Sequence, residues 1–462
     1  MATPGELTSD QLQQFAKEFS ADPKHRILQN ALTRNEVDEV ALDRAVAVSA
    51  ERSMSHQLDD WAATNQKQSG RCWLFAGLNL LRVGAARSMD LTDFEFSQNH
   101  LLFWDKLEKA NFWLEAIIAT SDCDVDDRTV AHLLSDPIGD GGQWNMFVAL
   151  VRKHGLVPKS AMPETVASSS TRQLNRDLKA VLRQAARDLR DRATAGASVD
   201  ELRERKDETL RAVHRMLSMH LGTPPETVSW QWKDKDKQFH RDEVVTPQDF
   251  ARRYVDLDLD SYVCLVDDPR PSSPRNRVFT VEYLGNIVSG KPVTYLNVEM
   301  PLIKRLARES IVSGTPVWFG CDVAQMMEKD EGVWDANLFD YDAVYDTRTD
   351  FAKADRLLYG ATAMTHAMLL TGVDVVGEGN DAHARRWRVE NSWGTEKADK
   401  GFWTMNDSWF AEHVFEIAVP KSALPAELLP VLDTEPIVLP AWDPMGALAG
   451  RAAVSRQPAT RS

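Results

Sequence analysis

Cysteine is scarce in this sequence, and the few cysteines present do not lie at paired spacings. The 462 residues include four of them, at Cys72, Cys123, Cys264 and Cys321. Scattered cysteines are typical of proteins that fold in a reducing compartment rather than of disulfide frameworks. The chain also has neither a Cys-x-x-Cys nor a His-Glu-x-x-His motif, so we predict no metal site and no cofactor.

Long apolar runs and an excess of basic residues are missing as well. No uninterrupted apolar segment reaches the ~20 residues that cross a bilayer, and the first residues lack the basic and apolar regions of a signal peptide. We therefore expect a cytoplasmic protein without a membrane partner. The net charge of −15 argues against general affinity for nucleic acid, which requires clustered lysine and arginine.

The most informative segment of the chain surrounds Cys72. A glutamine and a small-residue turn precede this cysteine, and the apolar run after it predicts a buried helix over 72–81. The positive end of the helix dipole favours a thiolate there. Gln66 lies close enough across the turn to donate a side-chain N–H to an oxyanion. The alternative is an unreactive core cysteine, the commoner fate of a lone cysteine.

A nucleophilic cysteine needs a histidine to share its proton and a third group to hold that histidine. His366 opens a run that predicts a buried strand, and Asn391 follows a second predicted strand at a turn. If the two strands pair, Asn391 can bond the far nitrogen of His366, and Trp393 can cover that bond. Each residue alone has a structural explanation, but the order glutamine–cysteine, histidine, asparagine favours catalysis.

These residues carry a resemblance to a known family. Gln66, Cys72, His366 and Asn391 resemble the oxyanion glutamine and the Cys-His-Asn triad of papain-like cysteine peptidases, most closely the bleomycin hydrolase and aminopeptidase C family. The similar segments are 65–76, 141–147, 316–323, 365–368, 389–394 and 436–449. The chain departs from secreted papain-like enzymes at Ser69, where they usually have a second cysteine.

The resemblance implies an α+β fold of the papain-like kind, in which a helical half meets an antiparallel β-barrel-like half and a helical insertion separates them. The segments it implies are an N-terminal helical segment packed on the core (1–60), the helical half (61–169), the insertion (170–277), the β-rich half (278–435), a C-terminal arm in the cleft (436–449) and a disordered tail (450–462).

Local patterns add detail to these segments. Amphipathic spacing predicts a short helix over 8–19 and two helices within 170–221. The second of the two begins at Ser198, with Glu201 placed for a capping box. This charged stretch is either a solvated helical hairpin or, as the family suggests, an oligomerisation arm or a cover.

The resemblance implies a cytosolic cysteine aminopeptidase that removes N-terminal amino acids from peptides, and cleaves bleomycin-like amides, through an acyl-enzyme. Its catalytic residues would be Cys72, His366, Asn391 and Gln66. The substrate-binding residues that it suggests are Trp73, Trp393 and Ala449. The expected partners are peptides with a free N-terminus and other copies of the chain in a homohexamer.

The segment 436–449 is apolar and stiffened by prolines, so it can lie extended in a groove. In the resembled family this arm enters the cleft, and its terminal carboxylate pairs with the α-amine of the substrate. Here thirteen more residues, 450–462, follow. We expect either that the enzyme trims itself near Ala449 or that the persisting tail alters its N-terminal specificity.

Two other classes of function stay open at this point. One is a papain-like acyltransferase that uses the same cysteine and histidine to acylate an amine. The other is a ring-forming nucleic-acid-binding protein with little peptidase activity, although the intact set of four residues argues against a silent site.

Overall fold

The computed structural model describes residues 3–58 and 61–450, so the predicted disordered tail lies outside the described residues from 451 onward. Within the described ranges, no helix combines the length and the apolar character needed to cross a membrane. The fold is mixed α and β, with one large sheet whose strand pairs are mostly antiparallel.

The helices surround this sheet and precede most of its strands. In chain order they are α1 (Ser9–Ala21), α2 (Pro23–Leu32), α3 (Val37–Ala41), α4 (Arg44–Ser49), α5 (Cys72–Ser88), α6 (Gln98–Ala119), α7 (Arg128–Ser135), α8 (Trp144–His154), α9 (Val166–Ser169), α10 (Arg172–Thr194), α11 (Val199–Leu221), α12 (Pro247–Tyr254), α13 (Met300–Val312), α14 (Tyr341–Tyr345), α15 (Lys353–Leu358) and α16 (Asp407–His413).

The strands lie mainly in the second half of the chain. They are β1 (His56–Gln57), β2 (Gln231–Lys233), β3 (Phe239–Arg241), β4 (Tyr262–Val266), β5 (Arg277–Val281), β6 (Tyr295–Asn297), β7 (Val317–Cys321), β8 (Met327–Glu328), β9 (Val333–Trp334), β10 (His366–Val376), β11 (His383–Glu390), β12 (Phe402–Asn406), β13 (Val414–Pro420) and β14 (Ile437–Leu439).

The large sheet has the order β14-β5-β6-β4-β13-β7-β10-β11-β12-β9-β8, with β1 on β10, while β2 and β3 form a separate hairpin. Its central strand β10 is buried from His366 to Asp374, which explains its continuous apolar sequence. The register sets Ala367 opposite Gly320 on β7 and Leu369 opposite Glu390 on β11. This pairing brings the two strands predicted to hold the histidine and the asparagine side by side.

Helix α5 packs against β10 with nearly its whole surface buried. A helix that is apolar on all sides belongs inside a large core, and this one links the helices to the sheet. Arg82 of α5 forms a buried ion pair with Glu390 of β11 at 2.6 Å, and Asn79 donates to the same carboxylate at 2.8 Å. The helix that starts at Cys72 is thus fixed directly to the strand that precedes Asn391.

The predicted pair of charged helices corresponds to α10 and α11, and the capping box at Ser198 is confirmed. Ser198 Oγ accepts from the Glu201 backbone N–H at 3.3 Å, and the Glu201 carboxylate accepts from the Ser198 N–H at 2.7 Å. The two helices bury a leucine stripe and contact α6. Their outer faces are charged, and their proposed role in assembly stays a prediction.

The N-terminal segment is predicted to pack on the core, but its first two helices bury no side chain. Helix α1 begins at Ser9 with Thr8 as its N-cap, close to the predicted start, but no side chain of Ser9–Ala21 or Pro23–Leu32 is buried. The segment contacts the rest of the fold through α3, where Ala41 joins a small apolar cluster with Phe339, and through β1, which pairs with β10. Strands also begin before residue 278, because Tyr262–Val266 is an apolar segment buried inside the sheet.

Candidate active site

Cys72 is the first residue of α5, and its side chain is fully buried. Burial raises the pKa of its thiol to about 12, although hydrogen bonds from the backbone N–H groups of Ala367 and Trp73 pull in the opposite direction. The backbone N–H groups at the helix start thus favour the thiolate, as the sequence predicts, while burial of the thiol opposes it. The bond from Ala367 also places the sulfur beside the residue that follows His366.

His366 and Asn391 meet as the sequence predicted. His366 Nε2 lies 3.0 Å from Asn391 Oδ1, and both side chains are fully buried. Burial lowers the pKa of His366 to about 4, while the bond to Asn391 raises it slightly. Within the described part of the chain, His366 Nδ1 has no hydrogen-bond partner. The ring is thus held at one nitrogen and has its other nitrogen available for proton transfer.

Trp393 lies over this pair, with its ring centroid 5.1 Å from that of His366 and the planes inclined by 39°. Its segment is held to the loop before the nucleophile, since Asn65 and Trp393 form an antiparallel bridge and the Gln66 N–H donates to the Ser392 carbonyl at 2.8 Å. The position of Trp393 agrees with its predicted cover of the His366–Asn391 bond, while its contact with substrate stays a prediction.

Gln66 is fully buried and held at both ends of its carboxamide. Its Oε1 accepts from the Ser392 hydroxyl at 2.6 Å, and its Nε2 donates to the Ser69 carbonyl at 2.5 Å. Since Nε2 carries two protons, one N–H remains after the bond to Ser69. The carboxamide is therefore fixed in orientation within the turn that leads to Cys72.

Asp140 is a buried residue that sequence reasoning missed, and it holds the nucleophile turn from the other side. Its carboxylate accepts from the Gly70 N–H at 2.8 Å and from the Lys106 ammonium at 2.7 Å. Burial alone would raise the pKa of Asp140, but Lys106 and its hydrogen bonds hold it well below the usual range. Further bonds come from Thr171 and Asn175.

Trp73 lies beneath this network rather than on an open surface. The residue is fully buried, its indole N–H donates to the Asp140 carbonyl at 2.7 Å, and its ring packs against Gly142 so closely that a Cβ there would overlap it. Trp73 therefore supports the backbone of 140–142. Its predicted role in substrate binding is not tested, and the geometry favours an indirect one.

The C-terminal arm, which we define as residues 436–450, reaches the same place. The Gly142 N–H donates to the Ala449 carbonyl at 3.1 Å, and the Gly450 N–H donates to the Thr365 carbonyl at 2.7 Å. The Gly450 carbonyl lies against Gly70 without room for a Cβ. Ala449 is fully buried. The end of the arm thus spans from the turn before Cys72 to the residue before His366.

Several side chains anchor the arm along its length. Arg270, which also pairs with Asp268, binds Asp443 of the arm through both terminal nitrogens, at 3.1 and 2.8 Å. Gln143 donates to the Ala447 carbonyl at 2.8 Å, and strand β14 pairs with β5. The sequence offered no signal for Arg270, because 173 residues separate it from Asp443.

A buried thiol at a helix start, an imidazole held by a carboxamide and a fixed glutamine amide define a candidate cysteine hydrolase site. Among the described residues, no group of three or more histidine, cysteine, aspartate or glutamate side chains is arranged to hold a metal ion. The chemistry that the thiol, the imidazole and the glutamine amide can perform together is acyl transfer through a thioester.

Comparison with known proteins agrees with this class. Residues 6–446 match the Peptidase C1-like family. The chain is 43% identical to aminopeptidase C of Listeria monocytogenes over 96% of its own length and 99% of that protein. It is 38% identical to human bleomycin hydrolase, with the same coverage of both chains. The chain therefore belongs to the Peptidase C1-like family of cysteine peptidases.

A solved structure is similar over nearly the whole fold. The crystal structure of PepW from Lactobacillus rhamnosis superimposes with a TM-score of 0.94 at 41% sequence identity, covering 97% of this chain and 100% of that one. The likeness therefore extends over nearly the whole of both chains.

Proposed function

We propose that this chain removes N-terminal amino acids from peptides and cleaves similar amides through an acyl-enzyme on Cys72. Its family and relatives make it a cysteine aminopeptidase and a hydrolase of peptide bonds. The observation that carries the finer proposal is the arm, whose end pairs with Gly142 and Thr365 beside the reactive groups. An arm in that position leaves little room for residues that precede the scissile bond.

The first half of the reaction forms a thioester. His366 accepts the thiol proton at Nδ1, and the Cys72 sulfur attacks the carbonyl carbon of the first residue. The oxyanion receives hydrogen bonds from the Gln66 amide and the Cys72 backbone N–H. As the C–N bond breaks, the His366 imidazolium gives its proton to the leaving amine.

The second half releases the amino acid. Water loses a proton to His366, attacks the thioester carbonyl, and the C–S bond breaks as the thiolate regains that proton. Asn391 keeps the imidazole in one orientation throughout, since its Oδ1 bonds Nε2. Burial raises the pKa of the Cys72 thiol and lowers that of His366, and a thiolate–imidazolium pair offsets this cost because each charge stabilises the other.

The papain-like division of the fold follows from the same arrangement. Cys72 lies on a helix, His366 begins strand β10 and Asn391 directly follows strand β11, so the site is where the helices and the sheet meet. We also propose a cytoplasmic homohexamer, as the family resemblance suggests. Light scattering of the purified protein tests it, with about 310 kDa expected from six chains of 51.9 kDa each and about 52 kDa contradicting assembly.

The test of N-terminal specificity compares two substrates that differ only in a blocked amine. With alanyl-aminomethylcoumarin and its acetylated form, we expect the free-amine substrate to have at least roughly a hundredfold higher kcat/KM, which corresponds to about 3 kcal/mol. Equal hydrolysis of both would contradict the role of the arm. Peptide products identified by mass spectrometry should shorten from the N-terminus one residue at a time.

We further propose that the enzyme removes its own residues beyond Ala449. The carbonyl of Gly450 lies at Gly70, two residues from the nucleophile, so the end of the arm is close to Cys72. Intact masses of the full-length protein and a Cys72→Ala variant should diverge, with shortening only in the active protein. If both keep their full mass, self-trimming is wrong, and specificity must arise with the tail attached.

A further inference from the structure

The segment 139–142 carries the end of the arm, although it lies outside the helices and strands. It connects α7 to α8, and Gly142 contributes an isolated antiparallel bridge to Ala449. Gly141 and Gly142 both approach their neighbours too closely to carry a Cβ, but two consecutive glycines leave the amide between them free to rotate. Contacts from outside the segment must therefore set the direction in which this amide points.

Side chains from α5 and α6 bind three successive carbonyls of this segment. Lys106 donates to the carbonyl of residue 139 and the Trp73 indole to that of residue 140, each at 2.7 Å. Lys109 Nζ donates to the Gly141 carbonyl at 2.6 Å. All three bonds come from the core side, so the carbonyl edge of the segment is fixed without any contribution from the arm.

The amide that joins Gly141 to Gly142 connects Lys109 to the arm. Its oxygen accepts from the Lys109 ammonium, and its N–H donates to the Ala449 carbonyl at 3.1 Å. In a trans peptide the C=O and the N–H lie in one plane and point in opposite directions, so a fixed oxygen aims the N–H at the arm. Hydrogen bonds in a chain also polarise one another. A cation on the oxygen therefore makes this N–H a stronger donor to Ala449.

Lys109 is itself held at a defined point. It is 6% exposed, and besides Gly141 it donates to the Asp105 carboxylate at 2.6 Å and to the carbonyl of residue 139 at 3.4 Å. Burial lowers the pKa of Lys109, but the Asp105 charge opposes this, and three oxygen acceptors match the three protons of an ammonium. The cation also lies 5.1 Å from the centroid of the Trp73 ring.

We propose that Lys109 is a positioning residue for the peptidase reaction, which holds the end of the arm in place through the Gly141–Gly142 amide. The first residue of a substrate then meets an arm whose position is fixed. This inference rests on the proposed function, in which the arm bounds the substrate site. Because Asp140 holds the turn before Cys72, loss of Lys109 should weaken substrate binding more than the chemical step.

Lys353 provides a matched control, because its surroundings are nearly the same. It is 7% exposed, pairs with Asp267 at 2.7 Å, donates to two backbone carbonyls at 2.7 and 3.3 Å, and lies 4.8 Å from the centroid of the Phe415 ring. Among the described residues, none of its hydrogen bonds goes to the segment 139–142 or to the arm. Lys353→Met therefore removes an equivalent buried cation without touching the Gly141–Gly142 amide.

The test measures hydrolysis of alanyl-aminomethylcoumarin by the full-length wild type, Lys109→Met, Lys353→Met and Asp105→Asn. Asp105→Asn breaks the ion pair but leaves the ammonium on the Gly141 carbonyl, so it separates loss of the pair from loss of that bond. We expect Lys109→Met to raise KM by about tenfold or more, as for a lost hydrogen bond to a charged group, with kcat within about threefold of wild type. The other two variants should keep KM within about threefold of wild type.

A second measurement follows the contact itself and needs no substrate. Hydrogen exchange detected by mass spectrometry, in peptides that cover 139–147 and 443–450, should be faster in Lys109→Met than in wild type and unchanged in Lys353→Met. If Lys109→Met does not fold, the double variant Asp105→Asn, Lys109→Met takes its place in both measurements, because it removes both charges of the pair and leaves neither of them unpaired.

Three results would overturn the proposal: a wild-type KM in Lys109→Met, a loss confined to kcat, or an equal rise of KM in Lys109→Met and Lys353→Met. Unchanged hydrogen exchange in both peptides of Lys109→Met would overturn it as well. Failure of the proposed function gives a different result, since the wild type itself would then not hydrolyse alanyl-aminomethylcoumarin. In that case hydrogen exchange alone decides whether Lys109 holds the arm.

Discussion

The active site has a helix side and a sheet side, and the two hold their groups by different means. On the helix side, Cys72 and Gln66 come from one short turn that buried charges brace, with Asp140 and Lys106 at its base. On the sheet side, His366 begins β10 and Asn391 directly follows β11, and the register of these two strands sets the distance between the two side chains. Local sequence positions the first pair, and strand pairing positions the second.

The difference predicts that substitutions on the two sides have different effects. A turn with many side-chain bonds can lose one of them and still hold its shape, whereas the sheet side depends on one hydrogen bond between His366 and Asn391. The arm contacts both sides, at Gly142 and at Thr365. Because the arm is bonded to both sides, a change in the distance between the two sides would also move the arm.

The largest expected effect is the loss of the nucleophile. Cys72→Ala should lower kcat by roughly 10⁴-fold or more, because removal of a nucleophile leaves only binding and oxyanion stabilisation. Steady-state hydrolysis of alanyl-aminomethylcoumarin measures it. The matched control is Cys123→Ala, at an exposed cysteine, which should retain full activity. Normal turnover by Cys72→Ala would remove the helix side from the mechanism.

Removing the buried ion pair that joins the helix side to the sheet side is expected to lower the free energy of unfolding. Arg82→Ala removes a buried ion-pair partner of Glu390, 2.6 Å away, that ties α5 to β11, while the Asn79 bond to the same carboxylate stays in place. Breaking a buried ion pair typically costs about 3–5 kcal/mol. Urea unfolding at neutral pH checks this, with Arg52→Ala as control, since its ion pair with Glu331 is exposed. Equal losses in both variants would mean that α5 is not held to the sheet by this pair.

The next largest effect is expected from loss of the oxyanion donor on the helix side, Gln66. Gln66→Ala should reduce kcat by roughly 10²–10³-fold with a smaller change in KM, as expected when one oxyanion donor is lost. Ser392→Ala is the informative companion, because it removes the hydroxyl that bonds Gln66 Oε1 and leaves the amide in place. A pure KM effect in Gln66→Ala would assign Gln66 to substrate binding instead.

On the sheet side, Asn391→Ala should lower kcat by roughly 10–100-fold, the effect of one hydrogen bond to a group that becomes charged. The loss should be smaller than that of Gln66→Ala and should leave the thiol reactive towards iodoacetamide. If Asn391→Ala abolishes alkylation of Cys72 as well, then the sheet side controls the nucleophile more directly than the geometry indicates.

The smallest effect is a pH dependence of stability. Burial lowers the pKa of His413, on the sheet side, to about 3. The unfolded histidine therefore binds a proton below pH ~6.5 while the folded one does not, so stability falls as the pH drops from ~6.5 towards 3. The slope is at most about 1.4 kcal/mol per pH unit for one histidine.

Urea unfolding of wild type and His413→Gln at pH 7 and pH 5 measures this contribution. The variant should lose less stability than wild type on acidification. Glu416 works in the opposite direction, because its raised pKa makes its burial less costly at low pH, but this term is common to both proteins. An identical loss in wild type and variant would mean that His413 is protonated in the folded state.

The sequence predicted the site better than its surroundings. The run 65–76 encodes its own turn and helix, so local pattern was sufficient for Cys72 and Gln66. His366 and Asn391 are 25 residues apart, at the start of one strand and just after the end of the adjacent strand of a hairpin. Strands of this kind can be predicted from hydrophobic periodicity and polarity. The burial that opposes the thiolate could not be predicted, because the degree of burial of Cys72 depends on the whole fold, which a local helix argument does not include.

The supporting charges could not be predicted in the same way. Asp140, Lys106 and Arg270 look like ordinary surface residues in sequence, and only tertiary packing buries them against partners 34 to 173 residues away. Glu416 belongs to the same group. It lies opposite Gly320, which in turn lies opposite Ala367, and this arrangement depends on the register of three strands. Long-range pairing decides these positions, and no local pattern encodes it.

The most direct test of the account is labelling with alanyl chloromethyl ketone, which combines a free amine with a thiol-reactive group. We expect one equivalent of label per chain, located on Cys72 by peptide mapping, with activity falling in proportion to labelling and with the acetylated reagent reacting far more slowly. Complete labelling of Cys72 with activity retained, or inactivation with the label on another residue, would contradict the assignment of Cys72 as the nucleophile of an aminopeptidase.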